Sequence, residues 1–184
     1  MTQLDILLLV CEILDRLGIE YMLTGAYAVS FYGRPRTTHD IDLNVAISSG
    51  DIKKIYDGFK DLFYVSKEAI EEAVRYQSMF NIICNETIDK IDFWIVKDNE
   101  YDKKRFARRR GEKIKGKIVF ISSPEDVIIT KLNWYMQSNI QKHYDDAFGV
   151  FQIQRGRLDL DYLRKWAGRF SFMEMIEGII KKCS

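Results

Sequence analysis

Residues 21–45 constrain this chain more than any other stretch. They open on a short apolar run, Tyr21-Met22-Leu23, of the kind that forms a buried strand. Thr24-Gly25 follows as a turn, and Ala26 to Phe31 has helical character. Gly33 and Pro35 then break the helix and force a loop. The chain becomes extended again at Asp40, where Asp40-Ile41-Asp42-Leu43 begins a strand predicted to run to Ile47. Residues two apart in a strand share a face, so Asp40 and Asp42 project together while His39, Ile41 and Leu43 face away. Two anions held side by side repel unless a cation sits between them. A divalent ion bound by oxygens suits such a place, and Mg²⁺ completing its shell with phosphate oxygens is the usual case.

The ordered set of strand, glycine turn, helix, loop and Asp-x-Asp strand resembles the opening motif of the nucleotidyltransferase superfamily, the DNA polymerase β-like fold. The likeness is greatest to small bacterial members of uncharacterised or toxin-like type, in which the string Gly-Arg-Pro-Arg-x-Thr-x-Asp-Ile-Asp-Leu recurs; here it is Gly33 to Leu43. It extends to about Gly168 through Ser123-Pro124-Glu125-Asp126, Lys131-Leu132, and Lys142 with Asp146, although His143 stands where the family commonly has an Asp. The resemblance implies an α/β (α+β) fold, with a mixed sheet flanked by helices and a helical C-terminal part. The corresponding domains are a core at 1–122 and a helical subdomain at 123–184.

Composition neither adds to this nor opposes it. With 47% hydrophobic and 30% charged residues, the 184-residue chain has the make-up of an ordinary globular protein. Its net charge of +1 argues for neither a nucleic-acid nor a membrane partner. Cys11, Cys84 and Cys183 are odd in number and widely spaced, which reads as free thiols in a reducing cytoplasm. The apolar run Ile6 to Cys11 is too short for a signal-peptide core or a membrane span.

Periodicity predicts helices at 3–17, 51–62, 67–75, 124–137, 140–154, 159–168 and 171–182. Gln77 to Cys84 and Lys90 to Val96 read as neighbouring antiparallel strands joined by the polar turn Asn85 to Asp89. In the second strand Ile91, Phe93 and Ile95 take one face, and Asp92, Trp94 and Val96 the other. A lone carboxylate in an apolar strand needs a partner. Asp92 either joins the metal pair, as the family's third acid does, or pairs with a nearby lysine or sits at a wet sheet edge. Asp89 is the rival for third acid. Nine basic residues lie between Lys103 and Lys117, with Glu112 as the only acid. They form either a phosphate- or RNA-binding patch or a solvated helix followed by a lysine-protected edge strand.

The resemblance further implies transfer of a nucleoside monophosphate from an NTP to a hydroxyl acceptor, in tRNA, other RNA or a protein. Asp40, Asp42 and Asp92 would be the catalytic and metal-binding residues, with Mg²⁺ or Mn²⁺ as cofactor. Thr24, Gly25 and Ala26 would hold the triphosphate at the turn, where the family usually has Gly-Gly or Gly-Ser. Arg34 and Arg36 would reach phosphate or brace Asp40. Lys131 and Lys142 would close over the nucleotide or remain solvated. The same resemblance points to a toxin–antitoxin role with a cognate partner. The missing second glycine or serine keeps open an inactive nucleotide- or RNA-binding protein, or an antitoxin-like protein, of the same fold.

Overall fold

The computed structural model describes residues 1–35, 38 and 40–183. It forms two compact units, Met1–Tyr27 with Thr37–Ser122, and Ala28–Arg36 with Ser123–Ser184.

The first unit is built on a seven-stranded mixed sheet. Helix α1 (Gln3–Arg16) starts at a reciprocal cap: the Asp5 amide donates to the Thr2 hydroxyl, and the Thr2 amide donates to the Asp5 carboxylate. Its buried face carries Ile6, Leu7, Val10, Cys11, Ile13 and Leu14. Strand β1 (Tyr21–Leu23) leads into α2 (Gly25–Tyr32), and β2 (Asp40–Val45) follows. Next come a 3-10 turn at Ser49–Asp51, α3 (Ile52–Phe59), β3 (Phe63–Tyr64) and α4 (Lys67–Tyr76). Strands β4 (Met79–Cys84) and β5 (Lys90–Ile95), helix α5 (Glu100–Ala107), and strands β6 (Arg110–Ile114) and β7 (Lys117–Ile121) complete the unit.

The strand order is β3-β4-β5-β2-β1-β7-β6. The β1–β7 and β2–β5 pairs are parallel, and β4–β5 is antiparallel, as the short polar turn between two apolar extended runs predicts. Strand β3 has no counterpart in the sequence reading. Two residues paired with Cys84 and Ile83 are too few to show a period. The strand expected to reach Ile47 stops at Val45. The β6–β7 hairpin turns on Lys115 and Gly116, both at positive φ, as a tight two-residue hairpin loop requires.

One side of the sheet is filled by aromatic and branched residues. Phe80 and Phe93 stack with centroids 5.0 Å apart, and Phe59 meets Phe93 and Phe63 edge-on. Ile41, Leu43 and Ile91 are fully buried beside them. All three cysteines are buried free thiols. Burial pushes the Cys11 thiol pKa up to about 12.

The second unit holds α6 (Pro124–Ser138), α7 (Gln141–Gln154), α8 (Leu160–Arg169) and α9 (Met173–Cys183), together with the later part of α2. Helix α6 begins at the Ser123 cap with Pro124 in its first turn. Asp126, fully buried, accepts from the Ser123 hydroxyl at 2.7 Å and from the Tyr162 hydroxyl at 2.8 Å. The Glu125 carboxylate accepts the amide of Asp159, the N-cap of α8, at 3.0 Å. Gly33 packs so closely on Val150 that an added Cβ would stand 3.0 Å from its Cγ2. Among the described residues, no helix is long and apolar enough to cross a membrane.

Lys131 and Asp146 meet at 3.0 Å, with side chains only 5% and 7% exposed. Removing one member of a buried pair strands the other's charge, whereas replacing both with apolar residues of similar size is close to neutral. Lys131→Met is therefore expected to lower unfolding free energy by about 3–5 kcal/mol. Adding Asp146→Leu to it should recover most of that loss in urea denaturation. Equal midpoints for wild type and Lys131→Met would show that the pair carries no stability.

Candidate active site

The site in the first unit follows from strand register. Strands β2 and β5 run parallel, with Asp40 opposite Lys90 and Asp42 opposite Asp92. In-register neighbours in a sheet point to the same side, so all four side chains emerge on the face opposite Phe93 and Leu43. Asp40 is exposed, Asp42 half-buried and Asp92 buried. Strand β5 is interior to the sheet, so Asp92 does not lie at a wet edge. One of its oxygens, Oδ2, pairs with the Lys90 ammonium at 3.0 Å. The other, Oδ1, is buried with no hydrogen-bond partner among the described residues. The lysine pairing left open by the sequence is therefore present, and it occupies half of the carboxylate. The Lys90 ammonium is pushed above its ordinary pKa by its bond to Asp92, with Asp40 and Asp42 adding to the effect.

The glycine turn meets this face from the other side of β2. The Thr24 amide donates to the Asp42 carbonyl at 2.9 Å, so β1 hands the chain to α2 directly beside Asp42. Gly25 takes a left-handed φ of +61°. A Cβ built there would lie 2.0 Å from Asp42 Oδ2, so no other residue fits without displacing that carboxylate. Helix α2 starts at Gly25, and the first amides of a helix have no partner within it. They make that end attractive to anions. Thr24 and Ala26 flank the turn and are buried.

Trp94 shares the face of Asp92. Its indole N–H points to Asp42 Oδ1 at 3.4 Å, and 40% of the residue is exposed. The face thus reads, strand by strand, from the amides at Gly25 through Asp42 and Asp92 to Asn81, the β4 partner of Asp92.

Among the described residues, no three His, Cys, Asp or Glu side chains converge as a ready-made metal cage. Mg²⁺ seldom needs one, since it is commonly held by one or two carboxylates with waters and substrate phosphates. The residues present suit such an ion: Asp40 and Asp42 share a face, and Asp92 keeps a buried oxygen without a partner. The Gly25 cradle brings Asp42 against backbone suited to phosphate.

The remaining candidates are placed differently. Asp89 sits in the β4–β5 turn, where its carboxylate accepts from Gln3 at 3.4 Å. In the second unit, Arg34 donates to Gln152 at 2.9 Å, Lys131 is tied to Asp146, and Lys142 is exposed on α7. Arg36 lies outside the described residues. The basic segment becomes α5 followed by the edge strand β6. Much of its charge is matched by acids of the same unit: Lys103 pairs with Asp98, Arg105 with Asp102, Arg109 with Glu20, Lys115 with Asp5 and Lys117 with Glu12. The Arg109 guanidinium also lies over the Phe106 and Phe120 rings.

Sequence reasoning did not single out Lys90 or Trp94. Both stand two residues from Asp92 and so share its face. Their nearness to Asp40 and Asp42, however, comes from the β2–β5 register, which no local pattern carries.

No protein-family model matches the sequence, and no curated protein matches it significantly. Solved structures do match in fold. The antibiotic-resistance factor ANT(2'')-Ia, in complex with adenylyl-2''-tobramycin, superposes with a TM-score of 0.61 at 16% identity, covering 93% of this chain and 98% of that one. The lincomycin-bound lincosamide antibiotic adenylyltransferase LnuA gives 0.54 at 11% identity, over 83% of this chain and 98% of that one. A nucleotidyltransferase-like antigenic protein from Paracoccidioides brasiliensis gives 0.54 at 16%, over 91% and 88%. The chain has the fold of these nucleotidyltransferases along most of its length.

Proposed function

We propose that this protein is a divalent-metal-dependent nucleotidyltransferase, moving a nucleoside monophosphate from an NTP to a hydroxyl acceptor. One observation carries the reading: Asp42 and Asp92 lie side by side in register, next to a glycine turn that only a residue without a side chain can make. Asp40 and Asp42, with Asp92, would hold Mg²⁺ or Mn²⁺, which when bound neutralises charge developing on the transferred phosphate. The amides at Gly25 and Ala26 bind the triphosphate at the positive end of α2. The acceptor oxygen bonds to the α-phosphorus as the bond from that phosphorus to the bridging oxygen breaks. Asp92 takes the hydroxyl proton, and pyrophosphate leaves. Trp94, donating to Asp42, steadies that carboxylate.

Suitable acceptors are an RNA end, a protein such as a toxin–antitoxin partner, or a small hydroxylated molecule. The last class is suggested by the antibiotics named for two proteins of this fold. Buried free thiols accord with a reducing cytoplasmic setting. Ala26, in place of glycine or serine, favours a second reading, a fold relative that binds nucleotide or RNA, or an antitoxin-like partner, without turnover. Incubation with each labelled NTP, Mg²⁺, and total RNA, lysate or hydroxylated small molecules separates the two. Label transfer supports the enzyme, and nucleotide binding without transfer supports the relative.

In calorimetry, Asp42→Asn is expected to weaken metal-dependent NTP binding by at least about tenfold. Gly25→Ala should weaken it comparably by pushing Asp42 aside. Unchanged affinity in both would remove the metal and turn assignments. Asp92→Asn keeps shape but loses basicity, so binding should survive while transfer falls about 10²-fold or more. Wild-type transfer by that variant would place the base elsewhere.

Arg109→Ala should lower thermal stability, because it removes the Glu20 pair and two ring contacts, and leave the NTP affinity of the folded protein unchanged. A weakened NTP affinity with unaltered melting would instead return Arg109 to phosphate binding.

A further inference from the structure

Lys90 is placed in a way that the proposed chemistry does not use. It is the first residue of β5, cross-strand from Asp40 and two residues before Asp92, so it stands on the carboxylate face itself. Its ammonium meets Asp92 Oδ2 at 3.0 Å, where the Asp92 side chain is 11% exposed and that of Lys90 is 44% exposed. Three carboxylates therefore share this face with a cation supplied by the chain.

We propose that Lys90 is the resident cation of the site, holding Asp92 in place until a divalent ion arrives and giving up Asp92 to that ion. The inference rests on the metal-dependent reading above and goes beyond it, by making metal affinity the outcome of a competition within the chain. The physical argument has three parts. First, Asp92 set beside Asp42 with no counter-charge would be repelled from its buried position, and Lys90 removes that penalty. Second, an ammonium and a dication cannot both lie against one carboxylate without strong mutual repulsion, so uptake of the ion expels the lysine. Third, expulsion is easy: the lysine stem is flexible and nearly half exposed, and a pair so open to water is only moderately strong. The buried Oδ1, without a hydrogen-bond partner among the described residues, is a second oxygen for the ion once Lys90 has swung aside. Lys90 acts through Asp92 and is a positioning residue.

The test is Mn²⁺ binding, followed by the electron paramagnetic resonance signal of the free ion. Wild type, Lys90→Met, Lys90→Arg and Asp42→Asn are compared, each also melted with and without Mn²⁺. Lys90→Met is expected to bind Mn²⁺ about tenfold more tightly, since the competitor is gone and the pair it replaces is a partly exposed one. It should melt lower than wild type without metal and gain more from Mn²⁺. Lys90→Arg keeps the charge and should restore near-wild-type affinity. Equal or weaker Mn²⁺ binding by Lys90→Met, with Asp42→Asn abolishing binding, overturns the proposal and leaves the metal site standing. Absence of Mn²⁺ binding in every protein, wild type included, takes down the metal reading and this proposal with it.

A second measurement needs no substitution at Lys90. With lysine ¹³C-labelled at Cε in the wild-type protein, Mg²⁺ titration should move the Lys90 resonance in step with metal uptake. A resonance that stays in place while Mg²⁺ binds would overturn the proposal.

Discussion

Like charges held side by side must be compensated, and much of the first unit is arranged around that requirement. The parallel register of β2 and β5 sets Asp42 beside Asp92, whose side chain is only 11% exposed. At short range in a partly buried setting, such repulsion amounts to several kcal/mol. Among the described residues, the Lys90 ammonium and the Trp94 indole N–H help to meet it. The opposite side of the same strands is apolar. Phe93, Phe80 and Phe59 form a dry aromatic layer that fixes β4 and β5. A polar face can stay strained because an apolar one, a strand's thickness away, is well packed.

The two units differ in how they treat charge. In the helical unit, ionic groups are closed off: Lys131 with Asp146, Asp126 with Ser123 and Tyr162, Glu125 with the Asp159 amide. Such contacts specify packing. On the carboxylate face of the sheet unit, Asp92 keeps one oxygen without a partner. That contrast, more than residue type, separates acids that shape the fold from those suited to chemistry.

Much of this was readable from local pattern. The strand-turn-helix-loop-strand order of residues 21–45, the faces of Asp40 and Asp42, and the antiparallel β4–β5 pair follow from period-two alternation and from glycine and proline positions. The Ser123 cap announced α6. What could not be read is everything set by register between distant strands. Asp92 was identified as a carboxylate in need of a partner, yet that it would lie opposite Asp42 depends on how β2 and β5 slide against each other. The glycine at position 25 is legible as a turn, but its collision with Asp42 is not. The basic segment looked like a patch because its neutralising acids, Asp5, Glu12 and Glu20, come from the N-terminal end of the chain. Short β3 escaped because two residues show no period.

The β2–β5 pairing also bears on how such a protein can diverge. The carboxylates that must meet come from two strands whose connecting segment includes α3, β3, α4 and β4. The three carboxylates do not require the loops of that segment to keep their length, provided that β5 returns parallel to β2 in the same register. Insertions between the strands are therefore cheap, whereas one residue added or lost inside either strand turns every side chain beyond it over. On the proposed chemistry, the site itself constrains only a glycine, three acids and the pleat that aligns them. A fold maintained in this way can be shared at 11–16% identity.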